Sequence, residues 1–561
     1  MNMKTNTCHP NINNHWGPMS NPPSDSKNNI AVATTLPELI GAALLAAGGR
    51  KALGLDDSEA AVAKGCLALH GLDVEVLRAR VAQGDDILGR EYCRLKSAEE
   101  RRAHGATFTP DAIVDSMLDW AQTHIDPAWI IDPGAGSARY ALAAAQRFPN
   151  AKVVAVEIDP FLRILAKARI SIMGLSGRVL VEGRSFLDCA RPRGKGSVLY
   201  IGNPPYVRHH DIDPADKAAY AERCKALGVS SSGLSGLHIH FMVKVFEQAK
   251  AGDAMAFITA AEWMDTNYGK SIRQLLASGE HDAFVGSFAK EEVVFEDALA
   301  SAAISCVRFG TSASHVKFDT LSSPKKLTLG RGKKVAIATA QQASSWNGSM
   351  HRSKGTAAGG RVLGDLFKVS RGMVTGMNEV WVVSDETPAV PERFLRHCIT
   401  NAEDITTLSD WRLTNASRLR KVVVLPEDLS TVPKDELPAL EAFLEWAKQR
   451  GADATYTAKH RKHWWRIDVK EPPPIVMTYM GRRPPVFARN IARAPLLNIA
   501  HGLYPKVEIS PEQQEALVAW LNKNVSVDAG RAYAGGLVKF EPKEAMRIAI
   551  PDITTIMERS R

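Results

Sequence analysis

Trp129-Ile130-Ile131-Asp132-Pro133-Gly134-Ala135-Gly136-Ser137 is an apolar run that breaks into two closely spaced glycines. Such a run reads as a buried strand entering a tight turn whose bare backbone lets a ligand come close. Ala138 to Phe148 continues as a helix, and Val153-Val154-Ala155-Val156-Glu157-Ile158-Asp159 is a second strand ending in acids. In nucleotide-type α/β folds an acid at the end of the second strand binds a ribose diol. The third glycine of the dinucleotide fingerprint is missing, and no lysine stands ready for phosphates. The pattern therefore predicts a Rossmann-like α/β domain that lacks the full dinucleotide fingerprint.

Further along, Arg178 to Glu182 reads as a third strand, followed by Gly183-Arg184-Ser185-Phe186-Leu187. The fourth is Val198-Leu199-Tyr200-Ile201, which stops at Gly202-Asn203-Pro204-Pro205-Tyr206. Proline donates no backbone hydrogen bond and fixes φ, so the strand cannot continue and the turn is stiff. What the turn offers is an amide side chain, carbonyls held in place by rings, and an aromatic. The Asn203 oxygen and the Pro204 carbonyl can accept both hydrogens of a planar NH2 group while Tyr206 stacks on its ring. Gripping both protons draws the amine lone pair out of conjugation, which makes it a usable nucleophile towards an activated electrophile.

The Asn-Pro-Pro-Tyr run resembles the catalytic motif of S-adenosylmethionine-dependent N6-adenine DNA methyltransferases of type II restriction-modification systems. The motif order is similar to that of the class placing target recognition last. That resemblance implies a class I methyltransferase domain in which Asn203, Pro204, Pro205 and Tyr206 are catalytic and Phe295 stacks on the far face of the target base. It implies cofactor contacts from Thr109, Asp132, Gly134, Gly136, Glu157, Ile158, Ser185, Phe186 and Asn203, with no metal. Thr109-Pro110 resembles the family's helix start, with Thr109 read as N-cap and Pro110 at the first helical position. One departure stands out. The family usually has Asp-Phe after the third strand, and here the pair is Ser185-Phe186, with Asp188 as a substitute acid.

With 561 residues the chain is long enough for two or three domains. The expected layout is a disordered tail at 1–35, a helical region at 36–103, the catalytic domain at 104–310, a linker at 311–345 and an α+β target-recognition domain at 346–561. Residues 207–236 are polar and suit a mobile loop beside the cleft. Asp85-Asp86, Glu91 and Lys96 imitate a nuclease metal site, but their segment reads as a helix. Arg371-Gly-x-x-Thr-Gly-x-Asn378 resembles the recognition domains of the same methyltransferases.

The formal charge is +9, and ten Lys or Arg against two acids between Lys459 and Lys506 supply most of it. Trp464, Trp465, Tyr479 and Phe487 are mixed into that window and Tyr456 stands just before it, which points to a polyanion. Arg371, Lys459, Arg461, Arg482, Arg483 and Arg489 are the expected contacts to double-stranded DNA. Seven scattered cysteines without a Cys-x-x-Cys pair suit a reducing cytoplasm and no zinc site. No apolar run is long enough for a bilayer. Neither a Gly-x-x-x-x-Gly-Lys loop nor a convincing nuclease site is present, so a cognate endonuclease would be encoded separately. Methylation of RNA adenine or of a protein glutamine, and a binding module without activity, remain alternatives.

Overall fold

The computed structural model describes residues 32–66, 73–97, 100, 109–288, 294, 301–322, 327–343, 345–346, 361–533 and 537–560. The chain divides into two compact units, one within residues 25–352 and the other built from residues 353–532 and 537–561. Among the described residues no helix is long and apolar enough to cross a membrane.

The first unit is organised on a sheet whose strands are β1 (Trp129–Pro133), β2 (Lys152–Val156), β3 (Val179–Glu182), β4 (Val198–Gly202), β5 (Ala254–Ala260), β6 (Asp282–Phe288), β7 (Ala302–Arg308), β8 (His315–Leu321) and β9 (Lys333–Ala336). Their order is β3-β2-β1-β4-β5-β7-β6-β8-β9. The first five run parallel, and β7 is antiparallel to both neighbours. This is the expected Rossmann-like arrangement. Chain direction across the sheet reverses between β1 and β4, the switch point where open α/β sheets bind ligands beyond their carboxyl ends.

Side chains alternate across the sheet, so each strand feeds two cores. Ile130, Val153, Leu199 and Ile201 pack with the helices Asp111–His124 and Arg139–Arg147 on one face. Ile131, Val154, Val198 and Tyr200 pack with Pro214–Ala226 and Leu237–Gln248 on the other. Burial on both sides explains why these strands read as unbroken apolar runs.

The N-terminal helices Leu36–Ala46, Asp57–Lys64, Val74–Ala82 and Ile87–Leu95 pack on the helix Pro160–Ile172 that follows β2. Two buried ionic clusters tie them there. Arg163 pairs with Glu59 at 2.8 Å and Asp56 at 2.9 Å, and Lys167 reaches Glu59 at 2.6 Å. Asp86 caps its own helix through Gly89 N and takes the Ser137 hydroxyl at 2.7 Å, Arg139 at 3.0 Å and Arg169 at 3.1 Å. The nuclease-like acids are thus structural, as the helical reading of that segment required.

Four expectations need correction. Residues 315–321 and 333–336 are strands, with β8 parallel to β6 and β9 closing on β8, so 311–345 is no linker. The alternation of Val316 and Phe318 into one core was masked by Ser and Lys composition. The segment 207–236 contains the helix Pro214–Ala226, capped by Asp213. Within the expected tail, Val32 and Ala33 are buried, and Val32 N–H donates to Glu91; residues 1–31 lie outside the described residues. The N-cap of Asp111–His124 is Pro110, with Thr109 one position earlier.

The second unit is α+β. Its five-stranded sheet runs Phe367–Arg371, Ala500–Pro505, Ile475–Thr478, Phe487–Asn490 and Arg412–Leu413. The helix Pro511–Asn524 packs on one core, and Leu437–Gln449 with Trp381 and Phe443 forms another. In the Arg-Gly-x-x-Thr-Gly motif, a Cβ on Gly372 would overlap the Leu497 carbonyl, so the backbone alone fits there.

Asp86→Ala would leave the buried Arg169 guanidinium without its carboxylate and Arg139 with only the exposed Asp111. The expected loss is about 3–5 kcal/mol of unfolding free energy, read from urea denaturation.

Candidate functional site

Proline forbids β4 to run past Gly202, and the glycines turn β1 back into a helix, so both strands end side by side at the switch point. There the two turns touch. Gly134 holds a left-handed φ of +76°, and a Cβ placed on it would lie 3.2 Å from the Pro205 ring. Both Gly134 N–H and Ala135 N–H donate to the Val156 carbonyl at 2.9 Å, which fixes the turn against the end of β2.

Over these strand ends lies a cavity of about 380 Å³. Small-molecule sites run from roughly 300 to 1,000 Å³. Of the residues singled out from sequence, Thr109, Gly134, Gly136, Glu157, Ile158, Ser185, Phe186, Asn203 and Pro205 line it. Asp132, Pro204 and Tyr206 do not, and Phe295 lies outside the described residues.

Each wall has its own cause. Glu157 is 8% exposed and accepts from Gly136 N–H at 2.8 Å and Asp159 N–H at 2.9 Å. Burial pushes its carboxyl upward in pKa, with the two N–H groups acting against that. A carboxylate so held keeps lone pairs for hydroxyl donors in the cavity. Ile158 is 65% exposed, an apolar rim beside that carboxylate. Phe186 is buried and packs on Phe241, with ring centres 5.2 Å apart. Ser185 caps the short turn Phe186–Asp188 through Leu187 N–H.

Asp188, the substitute acid, is not part of the wall; Asp211, Asp213 and Asp216 are. In the sequence these three sit 26 to 31 residues beyond Ser185, in a polar segment with no signal linking them to the third strand.

Asp132 is fully enclosed beneath the cavity floor. One oxygen accepts from Ala141 N–H at 3.0 Å, and the other has no hydrogen-bond partner among the described residues. Burial pushes its carboxyl up to about 8, with the charge on Glu157 adding to the effect.

Tyr206 is half-buried against the first core, and burial raises its phenol. Its ring meets that of His238 edge to face, with centres 5.8 Å apart and planes at 76°. His238, on Leu237–Gln248, carried no signal in the sequence beyond its helical position.

The basic residues of the second unit divide in two. Arg482 and Arg483 are exposed in the turn after Met480–Gly481, and Lys459 is exposed at the end of Tyr456–Lys459. Arg461 donates to the carbonyls of Val374 and Thr375, Arg371 pairs with Glu541, and Arg489 donates to the Pro511 carbonyl with its side chain 11% exposed. Those three shape the fold around the Arg-Gly-x-x-Thr-Gly segment and the helix Pro511–Asn524.

Residues 353–561 match the family described as Type II methyltransferase M.Eco57I, C-terminal domain, and residues 199–295 match Eco57I restriction-modification methylase. The chain is similar to the type II methyltransferase M.XamI of Xanthomonas campestris pv. amaranthicola, at 42% identity over 455 residues, 81% of this chain and 86% of that one. It is also similar to the type II methyltransferase M.AccI of Acinetobacter calcoaceticus, at 22% identity over 81% of this chain and 86% of that one. Among solved structures, the type IIL restriction-modification enzyme MmeI in complex with DNA gives a TM-score of 0.51 at 12% identity, over 81% of this chain and 69% of that one. This last is a likeness of fold.

The Asp132 carboxyl gives a pH signature. Its folded value lies above the ordinary 3.8, so the folded protein keeps a proton that the unfolded chain releases. Stability from this group is full below about pH 4 and drains as pH rises towards 8. Asp132→Asn is expected to flatten that fall, read as melting temperature against pH in cofactor-free protein.

Proposed function

Since the chain belongs to the type II restriction-modification methyltransferases, we propose that it transfers a methyl group from S-adenosylmethionine to the N6 amine of an adenine turned out of double-stranded DNA. The observation carrying this reading is that one enclosure has the glycine turn, the Glu157 carboxylate and the Asn203-Pro205 turn among its walls.

The donor set fits the cofactor. Glu157 would accept from the ribose hydroxyls, Thr109 and the glycine turn would face the amino acid part, and Ile158 and Phe186 would flank the adenine ring. When bound, S-adenosylmethionine supplies a methyl on a sulfonium, an electrophile that needs no further activation. The Asn203 oxygen and the Pro204 carbonyl would hold the two protons of the target amine and orient its lone pair. Tyr206 would stack on the base, and the proline rings keep both acceptors from drifting. No strong base is called for, because the amine is positioned before its proton is lost.

A base inside a duplex cannot enter such a pocket, so it would rotate out at a cost of a few kcal/mol of unstacking. The second unit would hold the duplex, with Lys459, Arg482 and Arg483 reaching phosphates while Arg371, Arg461 and Arg489 support the surface. The cell would use the modification to mark its own DNA against a separately encoded endonuclease.

Purified protein incubated with methyl-labelled cofactor and mixed-sequence duplex is expected to yield N6-methyladenine on nucleoside digestion and mass spectrometry. Label on cytosine, or none, overturns the reading. Asn203→Ala is expected to lower the rate at least about a hundredfold while cofactor affinity by calorimetry changes only a few-fold. Replacing Arg482 and Arg483 together by Ala is expected to reduce the slope of log affinity against log salt by about 1.8, the release from two phosphates.

A further inference from the structure

Outside the cavity walls, the helix Leu237–Gln248 carries a side chain that the chemistry above does not use. His238 is 5% exposed, and neither ring nitrogen has a hydrogen-bond partner among the described residues. Its imidazole lies over Gly236, where a Cβ would fall 2.9 Å from Cε1 and 3.1 Å from Nδ1. Leu237 N–H donates to the Val207 carbonyl at 3.0 Å, so the start of this helix is tied to the residue after Tyr206. The ring is therefore fixed beside the Asn-Pro-Pro-Tyr turn from two directions.

Leaving a polar group buried without a partner costs free energy, and apolar side chains of similar size would fill the same space without that cost. Its neighbour His240, by contrast, stacks flat on Tyr220 with centres 4.2 Å apart, an ordinary packing role. Burial pushes the His238 imidazole down to about 3, so the ring is neutral and offers one donor and one acceptor. Val207, next to Tyr206, and Leu237, next to His238, both line the cavity, so the imidazole stands one residue from its wall.

We propose that His238 is a binding residue for the extruded target nucleotide, giving it one hydrogen bond when it occupies the cavity at the Asn-Pro-Pro-Tyr turn. The proposal rests on the reading that a base leaves the duplex and enters this pocket. It adds the residue that recognises the base's edge. Asn203 and Pro204 hold the amine; His238 would meet a second atom of the same nucleotide and so report that the pocket is filled.

The test uses the full-length protein, saturating cofactor, and two duplexes carrying the sequence found methylated in host DNA: one with the target adenine, one with an abasic site in its place. The abasic duplex avoids the unstacking cost but offers no base to hold, so each duplex is compared with itself across the variants. His238→Phe is expected to weaken binding of the adenine duplex about three- to ten-fold, the worth of one neutral hydrogen bond, and to leave the abasic duplex unchanged. His238→Gln or His238→Asn is expected to recover at least half of that loss. Full retention by His238→Phe shows that the ring only fills space and overturns the proposal, as does equal weakening on both duplexes.

A 2-aminopurine at the target position whose fluorescence does not rise on adding wild-type protein sinks the base-extrusion reading itself. An adenine-duplex affinity that survives His238→Phe, with that fluorescence rise intact, sinks this proposal alone. Should the Phe variant fail to fold, the ring 15N chemical shifts of His238 in wild-type protein decide: they move on addition of the adenine duplex but not the abasic one, or the proposal fails.

Discussion

The Asp86 carboxylate is the point on which the site's geometry rests. It is 2% exposed, and Ser137, Arg139 and Arg169 all converge on it. Ser137 belongs to the glycine turn, Arg139 opens the helix after it, and Arg169 lies on the helix after β2. One carboxylate from the N-terminal helices thus clamps three parts of the nucleotide-type unit. Charges removed from water are costly unless fully paired, so the cluster tolerates only one arrangement of the turn. Arg169 then donates to the Ser137 carbonyl at 2.7 Å, which completes the hold. The N-terminal region is part of the site's support rather than an appendage.

The second constraint is the abrupt end of β4. A strand that ran on would fill the space above β1, whereas two prolines turn it so that Pro205 rests against Gly134. Stiff turn meets permissive turn. The prolines give rigidity to the group that must be aimed, and the glycines let another molecule approach the backbone. Neither could exchange roles with the other, because a side chain at Gly134 would press on the proline ring and a flexible residue at 204 or 205 would release the acceptors.

Much of this was legible in the sequence, and the failures have physical reasons. β1, β2, β4 and β5 are buried on both faces, so their apolar runs declare themselves. β8 is half-buried with Lys317 and Asp319 among its outward residues, and its composition resembles a connector more than a strand. Asp213 and Pro214 spell a helix start, yet the flanking His, Ser and Gly residues drew attention away from it. Arg489 looked like its neighbours in a basic window; only the fold reveals that its guanidinium is turned towards Pro511. His238 was invisible for a different reason. Its interest lies in what it fails to bond, and hydrogen-bond vacancies are properties of three dimensions.

The correction at β8 and β9 carries a consequence for how the molecule lives in a crowded cell. Without them the sheet would finish on β6, seven residues long, with apolar Phe284, Val285 and Phe288 along an open ladder of amides and carbonyls. Such a margin invites another chain to continue it. Instead the sheet finishes on β9, four residues long, with Lys333 and Lys334 facing water. Two like charges on so brief a border repel a second copy before its backbone can register, so the stretch once taken for a tether serves as a guard against fibril-like self-pairing.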